Sequence, residues 1–386
     1  MGVGLTMRIV FHTDAMVKNM GGSTISVLQA LQILVTLGHE AVVVVPMAEM
    51  ESSFGIPVYE EFKPKILRQF YSWADVVFVK RRAPLQQIRE YNLWHTPHGT
   101  HPIYTVYFAS NVGQPYKHGY QEGDVDLVVF NTEWIMRETG WQGQSFVLHP
   151  PIFKDKYFVD QPGEYITQIN LAAKKGGYYF WEIASSLPDK QFLAVKGKEK
   201  DQVIPDSPPS NVKIIDYAPD VRTVYAKTKI LLMPSQGYGA QHRWNNRLWT
   251  ESYGRVGVEA AVSGIPVVAY PTPGIKEALG EAGIYCDMNL DEWVEALKWL
   301  SNPETYKEVS EKVKRIGEGL TPEEDVKKLE NIISTGVSKA MVDKPSKYKV
   351  FFDVKEQNRV TELPERKISG KQRIRRSLKR ILKRMI

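Results

Sequence analysis

The chain has 386 residues, 43% hydrophobic and 24% charged, proportions ordinary for two or three globular domains and contrary to a disordered body. Its one cysteine, Cys286, excludes an intrachain disulfide and a multi-cysteine metal site, and points to a reducing compartment. The net charge of +6 is unevenly spread: Lys371 to Ile386 holds eight Lys or Arg and no acid, so everything before it sums to −2. No apolar run is long enough to cross a bilayer, and Met1 to Thr6, without signal-peptide architecture, reads as a leader.

Arg8 to Thr13 is a short β-type run. Gly21-Gly22-Ser23 then leads into a helical pattern from Thr24 to Leu37, with Ser23 or Thr24 a competent N-cap. Gly38 stops the helix, and Ala41 to Val45 is a β-branched run of the kind buried in parallel sheets. Strand, glycine loop, helix, strand is a βαβ unit of a doubly wound sheet. Gly21 and Gly22 suit a close backbone approach to a diphosphate, aided by the free N–H groups of the helix start, but they equally suit a plain flexible turn. Further strands are expected at Ala74 to Val79, Tyr91 to Thr96 and Val125 to Phe130. His95, His98 and His101 share a spacing of three, but Pro97, Gly99 and Pro102 break any helix that would align them, so a loop is favoured over a metal site. His95 alone, at the carboxyl end of a strand, is a site candidate.

A hinge is expected between Pro150 and Gly163, where prolines and Asp160-Gln161-Pro162-Gly163 punctuate the chain. A second βαβ unit follows, with a strand at Tyr165 to Ile169, a helix at Tyr178 to Leu187 and a strand at Phe192 to Val195. Between the first strand and the helix stands Lys174-Lys175-Gly176-Gly177, a point-charge partner for phosphate or a solvated loop. Strands at Val212 to Ile215, Ile230 to Met233 and Ile265 to Ala269 come next. Helices at Asp291 to Leu300, Pro303 to Ile316 and Pro322 to Ser334 follow, and Tyr348 to Val354 reads as one more strand. The loop Pro234 to Thr250 interleaves aromatic and basic side chains, including Trp244, Arg247 and Trp249, which can stack on sugars or bases or form a structured surface loop.

That loop feeds into Trp249 to Gly264, which sets Glu251 and Glu259 eight positions apart. Gly254 puts Glu251 on the approach to a helix running from Val256 to Val262, and Glu259 within it. With Ile265 to Tyr270 behind it, this block carries a family likeness. Glu251 to Ala260 fits E-x-x-G-x-x-x-x-E-A, Gly264 to Val268 fits G-x-P-V-V, and Gly274 to Glu277 fits G-x-x-E. Over Met7 to about Ser334 the chain resembles the retaining GT-B glycosyltransferases, the group of bacterial mannosyltransferases, sucrose-phosphate synthase and glycogen synthases.

The resemblance implies an α/β fold of two Rossmann-like, doubly wound domains facing a central cleft. Residues 7–160 would form the acceptor-side domain and 161–320 the nucleotide-sugar domain, followed by a C-terminal helix at 321–342 and a basic extension at 343–386. It implies a nucleotide diphosphate sugar of UDP or GDP type as donor, no cofactor and no metal. Glu259 would bind the ribose, and Glu251 the transferred sugar, with Tyr253 and Gly254 holding sugar and diphosphate through their amides. Lys175 would neutralise the leaving diphosphate with Lys174 beside it, Gly22 would face it, and His95 would lie near the sugar. Asn170 stands where the family usually has an arginine, which implies either that Lys174, Arg243 or Arg247 supplies the missing cation or that Asn170 marks a subgroup with another arrangement.

The acceptor is not legible: glycan, lipid, protein or modified DNA all fit. In Lys371 to Ile386, the side chains Ile374, Leu378, Ile381, Leu382 and Met385 share one helix side against Lys and Arg. That pattern suits a helix lying on an anionic membrane, a grip on nucleic acid, or a solvated extension. The expected location is cytoplasmic, peripheral at the inner membrane face. The competing reading is a nucleic-acid- or membrane-binding protein on a glycosyltransferase-like scaffold.

Overall fold

The computed structural model describes residues 5–13, 21–48, 50–60, 64–95, 103–160, 163–198, 201–235 and 250–342. Two mainly parallel sheets organise it. The first begins with β1 (Arg8–Thr13), α1 (Gly22–Thr36), β2 (Glu40–Val45), the two-residue β3 (Ser52–Ser53) and β4 (Ile56–Glu60). It continues through α2 (Pro64–Trp73), β5 (Val76–Lys80), α3 (Ala83–His95), β6 (Tyr104–Ala109), β7 (Leu127–Phe130), α4 (Glu133–Thr139) and β8 (Ser145–Val147). Strand order is β3-β4-β2-β1-β5-β6-β7-β8, with only the β3–β4 pair antiparallel. The chain builds outward from β1 in both directions, and at such a switch of direction a crevice opens beyond the strands' carboxyl ends. Every residue of β5 and β6 is buried, as runs such as Val76-Val77-Phe78-Val79 require when both sheet faces are covered.

The second sheet holds β9 (Tyr165–Ile169), β10 (Phe192–Val195), β11 (Val212–Ile215), β12 (Thr228–Met233), β13 (Val267–Ala269) and β14 (Ile284–Tyr285). Their order is β11-β10-β9-β12-β13-β14, all parallel, with the switch beside β9. Its helices are α5 (Gly177–Ser186), the single turn α6 (Arg222–Tyr225), α7 (Arg255–Ala261), α8 (Pro273–Leu279), α9 (Leu290–Trp299) and α10 (Pro303–Glu318). The last helix, α11 (Pro322–Val342), leaves this domain: its Val326, Leu329, Ile333 and Val337 are fully buried in the first domain's core, beside Val27, Leu31, Tyr104 and Val106.

Two expectations change. The aromatic-rich stretch at Tyr91 is the end of α3, not a strand. Pro84 sits in its first turn, and Leu85, Ile88 and Tyr91 recur at helical spacing on its buried side. The next parallel strand is β6, which the sequence reading passed over. Helix α1 also starts two residues earlier than expected, with Gly21 as its N-cap rather than Ser23 or Thr24. Its free first-turn N–H groups therefore belong to the glycine loop itself. The strand expected at Tyr348 to Val354 lies outside the described residues.

Candidate functional site

The carboxyl edges of both sheets border one cleft of about 900 Å³. Its first-domain wall includes Gly21, Gly22, Lys80, Ser110 and Asn131; its second-domain wall includes Asn170, Lys174, Lys175, Glu251, Tyr253, Gly254 and Glu259. Gly21, Gly22, Asn170, Lys174, Lys175, Glu251, Tyr253, Gly254 and Glu259, all expected from the sequence, share one space, with Lys80, Ser110 and Asn131 beside them unexpectedly.

Glu251 lies on the approach to α7, is 8% exposed, and contacts the Lys175 ammonium directly. The lysine's loop is held from below. Gln168, 1% exposed at the end of β9, donates from Nε2 to the carbonyls of Lys175 (3.0 Å) and Asn170 (3.3 Å). Gly176 has φ 82°, and a Cβ there would fall 2.0 Å from the Pro234 carbonyl oxygen, so only glycine lets the lysine loop pack against the end of β12. Gly254 caps α7 at φ 83° and turns the chain from Glu251 into the helix.

Glu259 is 7% exposed and engaged at both oxygens: Arg255 Nε donates to Oε1 at 3.0 Å and Tyr225 Oη to Oε2 at 3.0 Å. Burial opposes the Arg255 charge, yet Glu259 and Tyr157 hold its pKa above the usual arginine value. Burial beside Glu259 pushes the Tyr225 phenol well up, which keeps it a donor. The remaining Arg255 nitrogens reach the Ser26 hydroxyl (3.1 Å), the Pro151 carbonyl (3.2 Å) and the Tyr157 hydroxyl (3.0 Å), so this one side chain ties α7 to α1 and to the connecting segment. A second tie is Glu277 of α8. It accepts from the free amides of Glu133 (2.7 Å) and Trp134 (3.0 Å) at the start of α4, and from His149 Nε2 (2.8 Å). The His149 ring in turn stacks on Tyr253, centroids 5.4 Å apart.

Asn170 takes a left-handed conformation, φ 71°, and its Oδ1 accepts from the Ala172 amide and from Gln202 Nε2, both at 3.1 Å. It shapes the lysine loop and supplies no cation. Lys174, proposed as compensation, borders the cleft, as do Lys196 and Lys198, the last with its ammonium 4.6 Å from the exposed Tyr217 ring. His95 is not at a strand end: it is the final residue of α3, and its side chain lies outside what the structure describes. At the carboxyl end of β6, Ser110 borders the cleft instead and accepts from Lys80 Nζ at 3.0 Å. Trp244, Arg247 and Trp249, with Arg243, also lie outside the described residues. Among the described residues no three His, Cys, Asp or Glu side chains converge as a metal-binding group, and no helix is long and apolar enough to cross a membrane.

Sequence reasoning missed Arg255, Tyr225, Gln168, Lys80 and Ser110. Only Arg255, four positions before Glu259 and facing it on α7, left a local signal.

Two mainly parallel-sheet domains around one cleft are the GT-B architecture. Residues 166–302, about a third of the chain, match the family described as Glycosyl transferases group 1. Solved structures share the architecture at low identity. A glycosyltransferase from Rickettsia africae aligns with a TM-score of 0.67 and 14% identity, over 86% of this chain and 99% of its own. Anabaena HepE in complex with UDP and glucose aligns at 0.64 and 13%, over 85% and 100%. Sucrose-phosphate synthase from Thermosynechococcus elongatus aligns at 0.63 and 12%, over 86% and 100%. No curated protein matches the chain in sequence.

Proposed function

We propose that this chain transfers a hexose-type sugar from a nucleoside diphosphate sugar, of UDP or GDP type, to an acceptor hydroxyl with retention at the anomeric carbon. The contact between Lys175 and Glu251 on the cleft wall carries the reading, because it couples a cation suited to a diphosphate with a carboxylate suited to sugar hydroxyls. The UDP held by Anabaena HepE supports such a donor.

As the anomeric C–O bond breaks, positive charge grows on the sugar and negative charge on the departing diphosphate. Lys175, aided by Lys174 and the free amides after Gly21 and Gly22, stabilises that oxyanion where it forms. The acceptor oxygen attacks from the face the diphosphate leaves, and its proton passes to a departing phosphate oxygen, so no protein base takes part. Glu251 orients the sugar, with Tyr253 and Gly254 presenting amides beside it. Glu259, fixed by Arg255 and Tyr225, accepts from the ribose hydroxyls.

Thermal shift with a panel of UDP- and GDP-sugars tests the donor, since a ligand that binds only the folded state raises its stability. Glu259→Gln is expected to weaken donor binding by about tenfold, in line with a lost charge-assisted hydrogen bond, while Glu251→Gln chiefly slows transfer. Equal behaviour of the two variants would refute the division of roles, and a panel that shifts nothing would refute the donor. For the tail, outside the described residues, we propose peripheral binding to an anionic membrane from the cytoplasmic side. Sedimentation with anionic liposomes and with duplex DNA, with and without Lys371 to Ile386, separates this from a nucleic-acid grip.

A further inference from the structure

One unbroken chain of hydrogen bonds joins the Glu259 side of the cleft to the glycine loop. It begins on α7, where Arg255 Nε donates to Glu259 Oε1 at 3.0 Å. The same guanidinium reaches the first domain and donates from Nη1 to Ser26 Oγ on α1 at 3.1 Å. Ser26 Oγ in turn donates to the Gly22 carbonyl at 2.9 Å. The roles are consistent throughout: arginine only donates, and a hydroxyl can accept from it while passing its own proton on. All four residues border the cleft, and the Arg255 side chain is 10% exposed. Packing repeats the connection, since a Cβ at Gly22 would stand 3.2 Å from Arg255 Cδ.

A helical serine that bonds the carbonyl four positions back is common and by itself says nothing about function. The arginine arriving from the other domain on the same oxygen is what that habit does not explain. Its consequence lies in the peptide that follows Gly22. In a trans peptide the carbonyl and the next amide point opposite ways, so the plane holding the Gly22 C=O also holds the Ser23 N–H. That amide lies in the first turn of α1 and meets no carbonyl of its own helix. Fixing the carbonyl therefore fixes the direction of the Ser23 amide, and Ser23 borders the cleft.

We propose that Arg255 and Ser26 are positioning residues that couple the two ends of a bound nucleoside diphosphate. The ribose engages Glu259, Glu259 holds Arg255, and Arg255 through Ser26 sets the amides that meet the diphosphate. This rests on the donor reading, which assigns the ribose to Glu259 and the diphosphate to the glycine loop but leaves the two independent. The coupling is reciprocal: a diphosphate on the loop strengthens the grip on the ribose by the same factor. Arginine suits the task because its planar fork keeps one nitrogen on the carboxylate while another reaches the hydroxyl.

The test is a mutant cycle on the dissociation constants of UDP and GDP. These are taken by calorimetric titration of the full-length protein, well below each variant's melting temperature. Ser26→Ala is expected to weaken whichever nucleotide binds the wild type by about fivefold, the weight of one hydrogen bond. Ser26→Thr, which keeps the hydroxyl, should restore the affinity. In an Arg255→Lys background Ser26→Ala should cost less than about twofold, because its partner from α7 is gone. With Glu259→Gln, whose neutral amide holds the guanidinium less firmly, the penalty should also be smaller than in the wild type. A serine that only steadied α1 would cost the same factor in every background. An equal factor in either background, or wild-type affinity in Ser26→Ala, overturns the coupling and leaves the donor reading in place. Failure of the wild type to bind either nucleotide removes the donor reading itself, and the coupling with it.

Discussion

Arg255 joins three parts of the chain through one planar group: Glu259 on its own helix, Ser26 on α1, and Pro151 with Tyr157 in the connecting segment. Replacing it by methionine leaves the Glu259 carboxylate buried without its cation. The expected loss is about 3–5 kcal/mol in urea unfolding, the cost of breaking a buried pair on one side. Arg255→Lys restores the charge without the fork, so an intermediate loss should follow. His118 gives a residue-level dependence on pH. Burial, then the charges of Lys80, Arg81, Arg82 and Lys117, hold its folded pKa down to about 4, below the ordinary histidine value, so the unfolded chain binds the extra proton between those limits. The contribution of this neutral ring is full above about pH 6.5 and declines as pH falls toward 4. Because the ring is partly solvated, about 1–2 kcal/mol is a reasonable size after screening. Urea midpoints at pH 7 and pH 4.5 should therefore differ less in His118→Gln than in the wild type.

Glu277 sets the relation between α8 and α4, because an anion accepts best from the free amides that open a helix. Glu277→Ala should cost about 1–2 kcal/mol and speed hydrogen exchange at the Glu133 and Trp134 amides, with amides inside β7 unchanged. Glu277→Gln, which keeps an acceptor, should exchange at a rate between the two. The sequence showed Glu277 as one letter of G-x-x-E and nothing of this contact, since its partners stand more than a hundred positions away. Strands β9, β10 and β11 were legible to the residue, each being a short apolar run between turn signals. Tyr91 to Thr96 misled because Tyr and Trp favour strands locally, while the helical spacing of Leu85, Ile88 and Tyr91 that marks α3 begins before it. The glutamate pair was readable because both acids and the glycine between them lie within nine residues. Gln168, Tyr225 and the Lys80–Ser110 contact depend on which strands become neighbours, and no local pattern encodes that.

For the whole molecule, α11 is what makes the two sheets interdependent. The second domain's chain ends by burying Val326, Leu329, Ile333 and Val337 in the first domain's core, so the first domain is not complete without residues that follow the second. The contact is close: a Cβ at Gly336 would sit 2.2 Å from the Tyr104 ring on β6. Leu329→Ala removes a fully buried side chain from this seam and should cost about 2–5 kcal/mol, depending on how far the cavity collapses. The informative quantity is where the loss appears. If α11 couples the domains, tryptophans on both sides, Trp73 of the first and Trp293 of the second, should lose their native environment in one transition at a lower urea midpoint. Single-tryptophan versions of the protein carrying Leu329→Ala would read this directly. Two separated transitions, with the Trp293 midpoint unmoved, would mean that the helix stabilises only the first domain, and that the cleft rests on other contacts, Arg255 and Glu277 among them.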